Sequence, residues 1–277
     1  MDLLVEKNTV IKKLSEYGLW VQDVVDHSPT VSTNFRTVTS RNGRINAGAT
    51  LREKNIQVTG KVQVPTIQDY EKLKDDINGL VMDTEPFYIT KMLPESASLY
   101  DFEKPGETAG DLDLLGIPHS EYKYRWNVIP ISGVNWTFLG AYDSGLLFEF
   151  DMEFTTIGLP YGMTVPVTKT VTDNIEYFGT ARNNQLEYPW KLTLTASQEL
   201  SEALKINIGG KVYEFERQSG ISVGDVITID GVATYVNGQN MTHYSNFQHF
   251  ELKHGNNPIV TNFVGTIEIE PYIEFYV

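Results

Sequence analysis

Leu146-Leu147-Phe148-Glu149-Phe150-Asp151-Met152-Glu153-Phe154 is the stretch whose reading decides the fold class. Phe148, Phe150, Met152 and Phe154 alternate with Glu149, Asp151 and Glu153, the period of two that sends the two sets to opposite faces of a β-strand. Upstream, Tyr122, Tyr124, Trp126 and Val128 alternate with Lys123, Arg125 and Asn127 in the same way. Two half-buried strands of this kind, paired antiparallel, are expected to set the three acids across from Lys123 and Arg125.

Working toward the N-terminus, Val31 to Thr39 and Arg44 to Val64 flank Asn42-Gly43, a dipeptide that accepts the positive φ of a tight hairpin turn. Within the second arm, Ile56, Val58, Lys61 and Val62 straddle Gly60, which predicts a bulge or bend there. One segment departs from the strand pattern: Ile67, Tyr70, Leu73, Ile77 and Leu80 recur at spacings of three and four, one stripe of an α-helix. Thr66, after Pro65, is placed to cap it, and Gly79 to end it in a left-handed conformation, giving a helix over 67–79. Residues 95–119 carry Pro105, Pro118, Gly106, Gly110, Gly116 and several acids, and read as a long exposed loop.

Toward the C-terminus, the stretch from Gly158 to Thr172 holds Pro160, Gly162 and Pro166 without a period, so a domain division is expected near 160/161. Beyond it, Gly209-Gly210, Asp230-Gly231, Asn237-Gly238 and Gly255-Asn256 punctuate short β-runs at the spacing of an antiparallel sandwich. The last run alternates Ile267, Ile269, Ile273 and Phe275 with Glu268, Glu270 and Glu274, and Pro271 marks a bend or an edge. The fold class is therefore mainly β with one α-helix, in two domains, 1–160 and 161–277.

The 277 residues carry 22 basic and 36 acidic side chains, a formal charge of −14, which disfavours binding nucleic acid or an anionic membrane by charge. No cysteine is present, so disulfides, thiolate metal sites and a thiol nucleophile are excluded. Asp2, Glu6 and Lys7 interrupt the first apolar residues, and no apolar run reaches the roughly 18 residues of a membrane span, so neither a signal peptide nor membrane insertion is read.

Among candidate sites, Glu149, Asp151 and Glu153 have same-face spacing of about 6.6 Å, within the range of glycosidase carboxylate pairs. That geometry would suit a glycan hydrolase, but the wet face of any amphipathic strand has it too, and no apolar pocket raises one carboxyl into an acid role. His27, His119, His243, His249 and His254 lack metal-ligand spacing, and Gly209-Gly210-Lys211 lacks the rest of a phosphate loop. No catalytic residue, cofactor or metal is expected. Trp136, Tyr188 and Trp190 are candidates for stacking a sugar ring, with core packing as the competing reading. Tyr100 and Phe102, apolar in a polar loop, are candidate partner contacts.

The order of features resembles the siphophage distal tail protein family. The resemblance is carried by the N-terminal strands, Arg41-Asn42-Gly43, Arg52 through Ile56, Val58 and Gly60, and the helix after Pro65. It continues in the acidic aromatic strand running into Gly158-Leu159-Pro160-Tyr161-Gly162, and in Phe247 to Phe250, Leu252, His254, Gly255 and Asn256. It implies an N-terminal β-sandwich-like ring domain and a C-terminal β-sandwich similar to galectins and carbohydrate-binding modules. It further implies a non-enzymatic virion component at the tail tip, made in the bacterial host cytoplasm. Such a component forms a homo-hexameric ring between the tail tube protein and the tail-associated hub protein and anchors receptor-binding or baseplate proteins. Six copies at −14 would carry −84, a negative lumen through which DNA would pass without sticking. A carbohydrate- or receptor-binding module acting in host recognition is the alternative.

Overall fold

The computed structural model describes residues 1–95, 118–142 and 144–277, and divides into two compact units, Met1–Gly162 and Met163–Val277. In the first unit the strands are β1 (Asp2–Lys7), β2 (Val10–Lys13), β3 (Leu19–Asp26), β4 (Val31–Arg36), β5 (Ile45–Leu51) and β6 (Asn55–Val64). Helix α1 (Ile67–Val81) follows, then β7 (Phe87–Pro94), β8 (His119–Pro130), β9 (Asn135–Tyr142) and β10 (Gly145–Thr156). The main sheet is antiparallel, ordered β2-β1-β7-β8-β10-β6-β3, with β9 also on β10. It forks at β10: residues 145–151 pair with β9, while only Phe154, Thr155 and Thr156 pair with β8.

Leu3 and Val5 near one end of that order share a core with Val21 and Val24 at the other and with Phe150 and Phe154 of β10, so the sheet curls around its own apolar face. The Lys91 ammonium of β7 spans the gap, donating to the Val24 carbonyl of β3 at 2.8 Å. Helix α1 lays Leu73, Ile77, Leu80 and Val81 onto this core. The helix is longer than its pattern predicts. Gly79 does not take the left-handed conformation and the helix runs to Val81, because Leu80 and Val81 are buried only if they stay helical. Ile67 is 51% exposed and does not join the core. Thr66 caps as expected, its hydroxyl accepting from the Asp69 amide at 3.2 Å.

Three further expectations change. Arg44 to Val64 is not one hairpin arm: β5 pairs only with β4, the chain breaks at Arg52-Glu53-Lys54, and β6 joins the main sheet. Asn42-Gly43 lies inside a longer loop in which Ser40 and Gly43 have positive φ, rather than forming a two-residue turn. At Gly60, β6 is unbroken and keeps register with β10; the bulge lies on the neighbour, where β3 inserts Gln22 between Val21 and Asp23. Glycine is required there for closeness: a Cβ would stand 2.2 Å from the Trp20 carbonyl oxygen and 2.5 Å from the Phe150 ring. β7 and β8 form a hairpin, with Pro94 opposite His119 and the Glu95 amide donating to the Pro118 carbonyl at 3.0 Å.

The second unit has a six-stranded sheet, in the order Val167–Val171, Gly265–Tyr272, Lys191–Ala196, Val226–Asp230, Ala233–Val236 and Gln239–Asn240. Its four-stranded sheet runs Asn174–Tyr177, Gly255–Thr261, Leu204–Ile208 and Lys211–Phe215. Leu192, Leu194, Ile227, Ile229 and Ile269 from one sheet meet Ile206, Ile208, Tyr213 and Phe215 from the other in one core. Both residues of Gly209-Gly210 and of Asn237-Gly238 have positive φ, and each dipeptide closes a two-residue hairpin. Pro271 sits at a register slip, where Thr168 alone faces Glu270 and Pro271.

Candidate functional site

Strands β4 and β5 form an arm. They make a two-stranded sheet of their own, nearly every residue of it exposed, clasped at its base where the Arg52 amide donates to the Thr30 carbonyl at 2.8 Å. Val31, Phe35, Val38 and Ile45 are 56%, 47%, 49% and 38% exposed. A lone two-stranded hairpin is marginal in water, so this one calls for a surface to lie on. Its charge is one-sided: from Val31 to Arg52 the chain carries Arg36, Arg41, Arg44 and Arg52 and no acid, within a protein at −14. Arg44 stacks on the Phe35 ring at 5.7 Å, and none of the four is in an ion pair among the described residues.

The opposite character is found on β10 and β9. Glu149, Asp151 and Glu153 face Lys61, Thr59 and Gln57 of β6. They do not lie across from Lys123 and Arg125, because β10 has turned to β9 along this stretch and meets β8 only at its end. Arg125 instead pairs with Glu6 and packs over the Tyr88 ring at 4.0 Å. Both oxygens of Asp151 accept from the Gln57 side chain, at 3.0 and 3.1 Å. Beside the acids, β9 presents Phe138, Leu139 and Tyr142 at 56%, 40% and 60% exposure on a strand whose outer edge has no strand partner among the described residues. An open strand edge with apolar and acidic side chains is a docking surface by composition. Glu149 and Asp151 line one pocket together with Thr59, Asn135, Thr137 and Phe150, so it does not enclose one of these two carboxyls away from the other, the asymmetry that glycoside hydrolysis requires.

Of the stacking candidates, Trp190 is 0% exposed, lying against Phe250 with ring centroids 6.5 Å apart, and a fully enclosed ring offers no face to a sugar. Tyr188 is half-buried, edge-on to Phe275 at 5.1 Å. Trp136 is half-buried between Tyr70 of α1 and Phe150 of β10, each at 5.9 Å, so it fastens helix to sheet. Tyr100 and Phe102 lie outside the described residues. His249 sits 3.2 Å from the Lys211 ammonium; burial and that positive charge hold its imidazole below its ordinary pKa. Among the described residues, no group of three or more histidines or acids is placed to hold a metal ion, and no helix is long and apolar enough to cross a membrane. The arm is what reading by motif missed. Its signal was present as a run of four arginines without an acid, and only the structure shows those residues standing away from any core.

Residues 12–129 match the family of the phage tail protein RIFT-related domain. No curated protein matches the sequence significantly. Among solved structures, the Dit protein of phage SPP1, described as a paradigm of the hub adsorption apparatus in phages infecting Gram-positive hosts, aligns over 100% of this chain and 99% of its own. The TM-score is 0.64 at 14% identity. Two structures of the phage p2 baseplate in its activated conformation, with calcium and with strontium, align at TM-score 0.41 and 7% identity, over 99% and 97% of this chain and 97% of each matched chain. Residues 12–129 are therefore similar to the phage tail protein RIFT-related domain, and the fold of the chain over its full length is similar to that of the SPP1 Dit protein.

Proposed function

We propose that this chain is a structural, non-enzymatic component of a phage tail tip, in which six copies close a ring. The ring joins the tail tube protein to the tail-associated hub protein and anchors adsorption devices at its rim. The observation that carries this reading is the fold correspondence along the entire chain with a hub protein of the adsorption apparatus, together with the match to the tail domain at residues 12–129. The arm supports self-association. It has apolar residues without a cover and a positive charge complementary to the β9–β10 face that another copy would present. Arm and face are different surfaces, so the contact is heterologous and must close by rotation, as a ring does.

Light scattering on the purified chain tests it. Six copies of 31.3 kDa give a particle of about 188 kDa. Replacing Arg36 and Arg44 together by Glu should return the chain to 31.3 kDa with an unchanged circular dichroism spectrum, since neither arginine touches a core. A wild-type monomer at every concentration, alone and mixed with the tube and hub proteins of its phage, would overturn the ring.

A further inference from the structure

The first unit contains a cavity of about 240 Å³ lined by Asp26, Lys91, Leu93, Tyr122, Tyr124 and Trp126. A large bulge in the β7–β8 pairing produces it. Thr90 faces Arg125 and Met92 faces Glu121, so Lys91 alone opposes Tyr122, Lys123 and Tyr124. Such bulges re-aim side chains. Here the Tyr122 and Tyr124 rings meet edge to face at 4.8 Å, and Tyr124 meets Trp126 likewise at 5.4 Å, making an aromatic wall.

The polar groups around that wall are incompletely used. Trp126 is 0% exposed and its indole N–H has no hydrogen-bond partner, so it backs the wall without reaching a guest. One oxygen of Asp26 lies 3.1 Å from the Lys54 ammonium, whose side chain is 2% exposed, while the Asp26 side chain is 31% exposed. Lys91 spends one proton on the Val24 carbonyl and has two left. Burial, with the Asp26 carboxylate nearby, pushes the Tyr124 phenol up to about 12, so it stays a neutral hydroxyl.

These groups select an occupant by elimination. A cation meets Lys91; an anion meets Asp26. An apolar group leaves the Lys91 ammonium and the Asp26 carboxylate unmatched. A neutral polyol supplies both donors and acceptors, and the C–H face of a sugar ring packs on aromatic rings. The volume lies below the roughly 300–1,000 Å³ of drug-sized sites, which limits the guest to one ring. We propose that the cavity beneath the β8 bulge is a binding subsite for a single neutral sugar ring, with Tyr122 as its platform, Asp26 as acceptor and Lys91 as donor. This goes beyond the tail-tip reading and stands or falls separately from it, because the ring requires no saccharide.

Saturation-transfer NMR on the full chain tests it, with methyl glucoside, methyl galactoside and methyl N-acetylglucosaminide as probes. At about 10 mM sugar, a Kd near 1 mM gives clear transfer to the ring protons of at least one probe. Tyr122→Ala should weaken that binding about tenfold or more, and Tyr122→Phe should keep it. Lys91→Ala serves as a second variant, with the same direction expected, should Tyr122→Ala fail to fold. Absence of transfer from all three sugars, or binding unchanged in folded Tyr122→Ala and Lys91→Ala, would overturn the subsite.

Discussion

Replacing Gly60 by Ala should destabilise the first unit by about 2 kcal/mol, even though alanine adds one methyl to a strand. The new Cβ would stand 2.2 Å from the Trp20 carbonyl oxygen, and ordinary contact begins at 3.4 Å, so that backbone must retreat by about 1.2 Å. Trp20 belongs to β3, whose bulge at Gln22 begins beside Gly60, and moving it strains the pairing on either side. The Phe150 ring, 2.5 Å from the new atom, is fully buried in the core of the unit. Overpacking of this kind costs about 3 kcal/mol at the upper end of its usual range. Alanine restores about 0.4–1 kcal/mol by restricting the unfolded chain, which leaves the net loss near 2. Gly79→Ala is the matched control: its Cβ would meet nothing within 4 Å, it is helical, and it should gain about 0.5–1 kcal/mol. Urea unfolding followed by tryptophan emission reads both, since Trp20, Trp126 and Trp136 all lie in the first unit. With a slope of about 2 kcal/mol per molar, the midpoint should fall by about 1 M in the first variant and rise by about 0.3–0.5 M in the second. A Gly60→Ala midpoint at or above wild type would show that β3 and β10 do not close on that residue.

Other expectations concern single side chains. Thr66→Ala should cost about 1 kcal/mol in the same unfolding experiment by removing the acceptor of the Asp69 amide; an unchanged midpoint would deny the cap a role. The Ser222 amide, the Asn237 side chain and the Arg217 guanidinium hold the Asp225 carboxyl below the ordinary carboxylate range. A depressed folded pKa gives stability that is complete above the unfolded value near 3.9 and fades as pH falls below it. The gap between wild type and Asp225→Asn, about 2 kcal/mol at pH 7, should therefore narrow toward pH 2, and a gap flat with pH would rule out the charge as its source. Asn257 is 2% exposed, and its amide donates to the carbonyls of Ile175, Lys253 and Gly255 at 3.2, 2.8 and 3.2 Å. Asn257→Asp replaces that donor with a carboxylate oxygen facing three carbonyl acceptors, and should cost about 3 kcal/mol or more at pH 7 with partial recovery in acid; a neutral outcome by thermal melting would contradict the assigned bonds.

Local periods were legible in the sequence because they report which face of an element is dry. Phe148 to Phe154, the stripe from Leu73 to Leu80, and the two-residue turns at Gly209-Gly210 and Asn237-Gly238 all followed from spacing alone. The partner of a strand did not. Alternation placed Glu149 and Lys123 on wet faces but could not say that β9 would come between their strands. The same limit explains why one Asn-Gly closes a tight hairpin and the other does not: Val236 and Gln239 pair directly across Asn237-Gly238, whereas the arm is first pinned at Arg36 and Ile45. Trp190 illustrates the third gap, since an aromatic ring reads alike whether it is a platform or a core plug. The cavity beneath β8 escaped notice because a strict alternation through Tyr122 and Tyr124 conceals a bulge that exists only relative to β7.

The position of β10 in the sheet sets the timing of synthesis. β6, β9 and β8 all attach to it, yet it is the last strand of its unit to leave the ribosome. At about 5–20 residues per second, roughly 5 to 18 s pass between translation of residue 64 and residue 156. Through that interval β6 has β3 beside it and no β10 to cover Ile56, Val58, Val62 and Val64, so its open edge is available to the same edge of a chain on the next ribosome. Arg52, Glu53 and Lys54 directly precede β6 and Lys61 interrupts it, the placement of charged gatekeepers around an unavoidable apolar strand. Yield in a cell is therefore expected to respond to translation speed between β6 and β10, with slow codons there raising the aggregated fraction and leaving the stability of the finished protein unchanged.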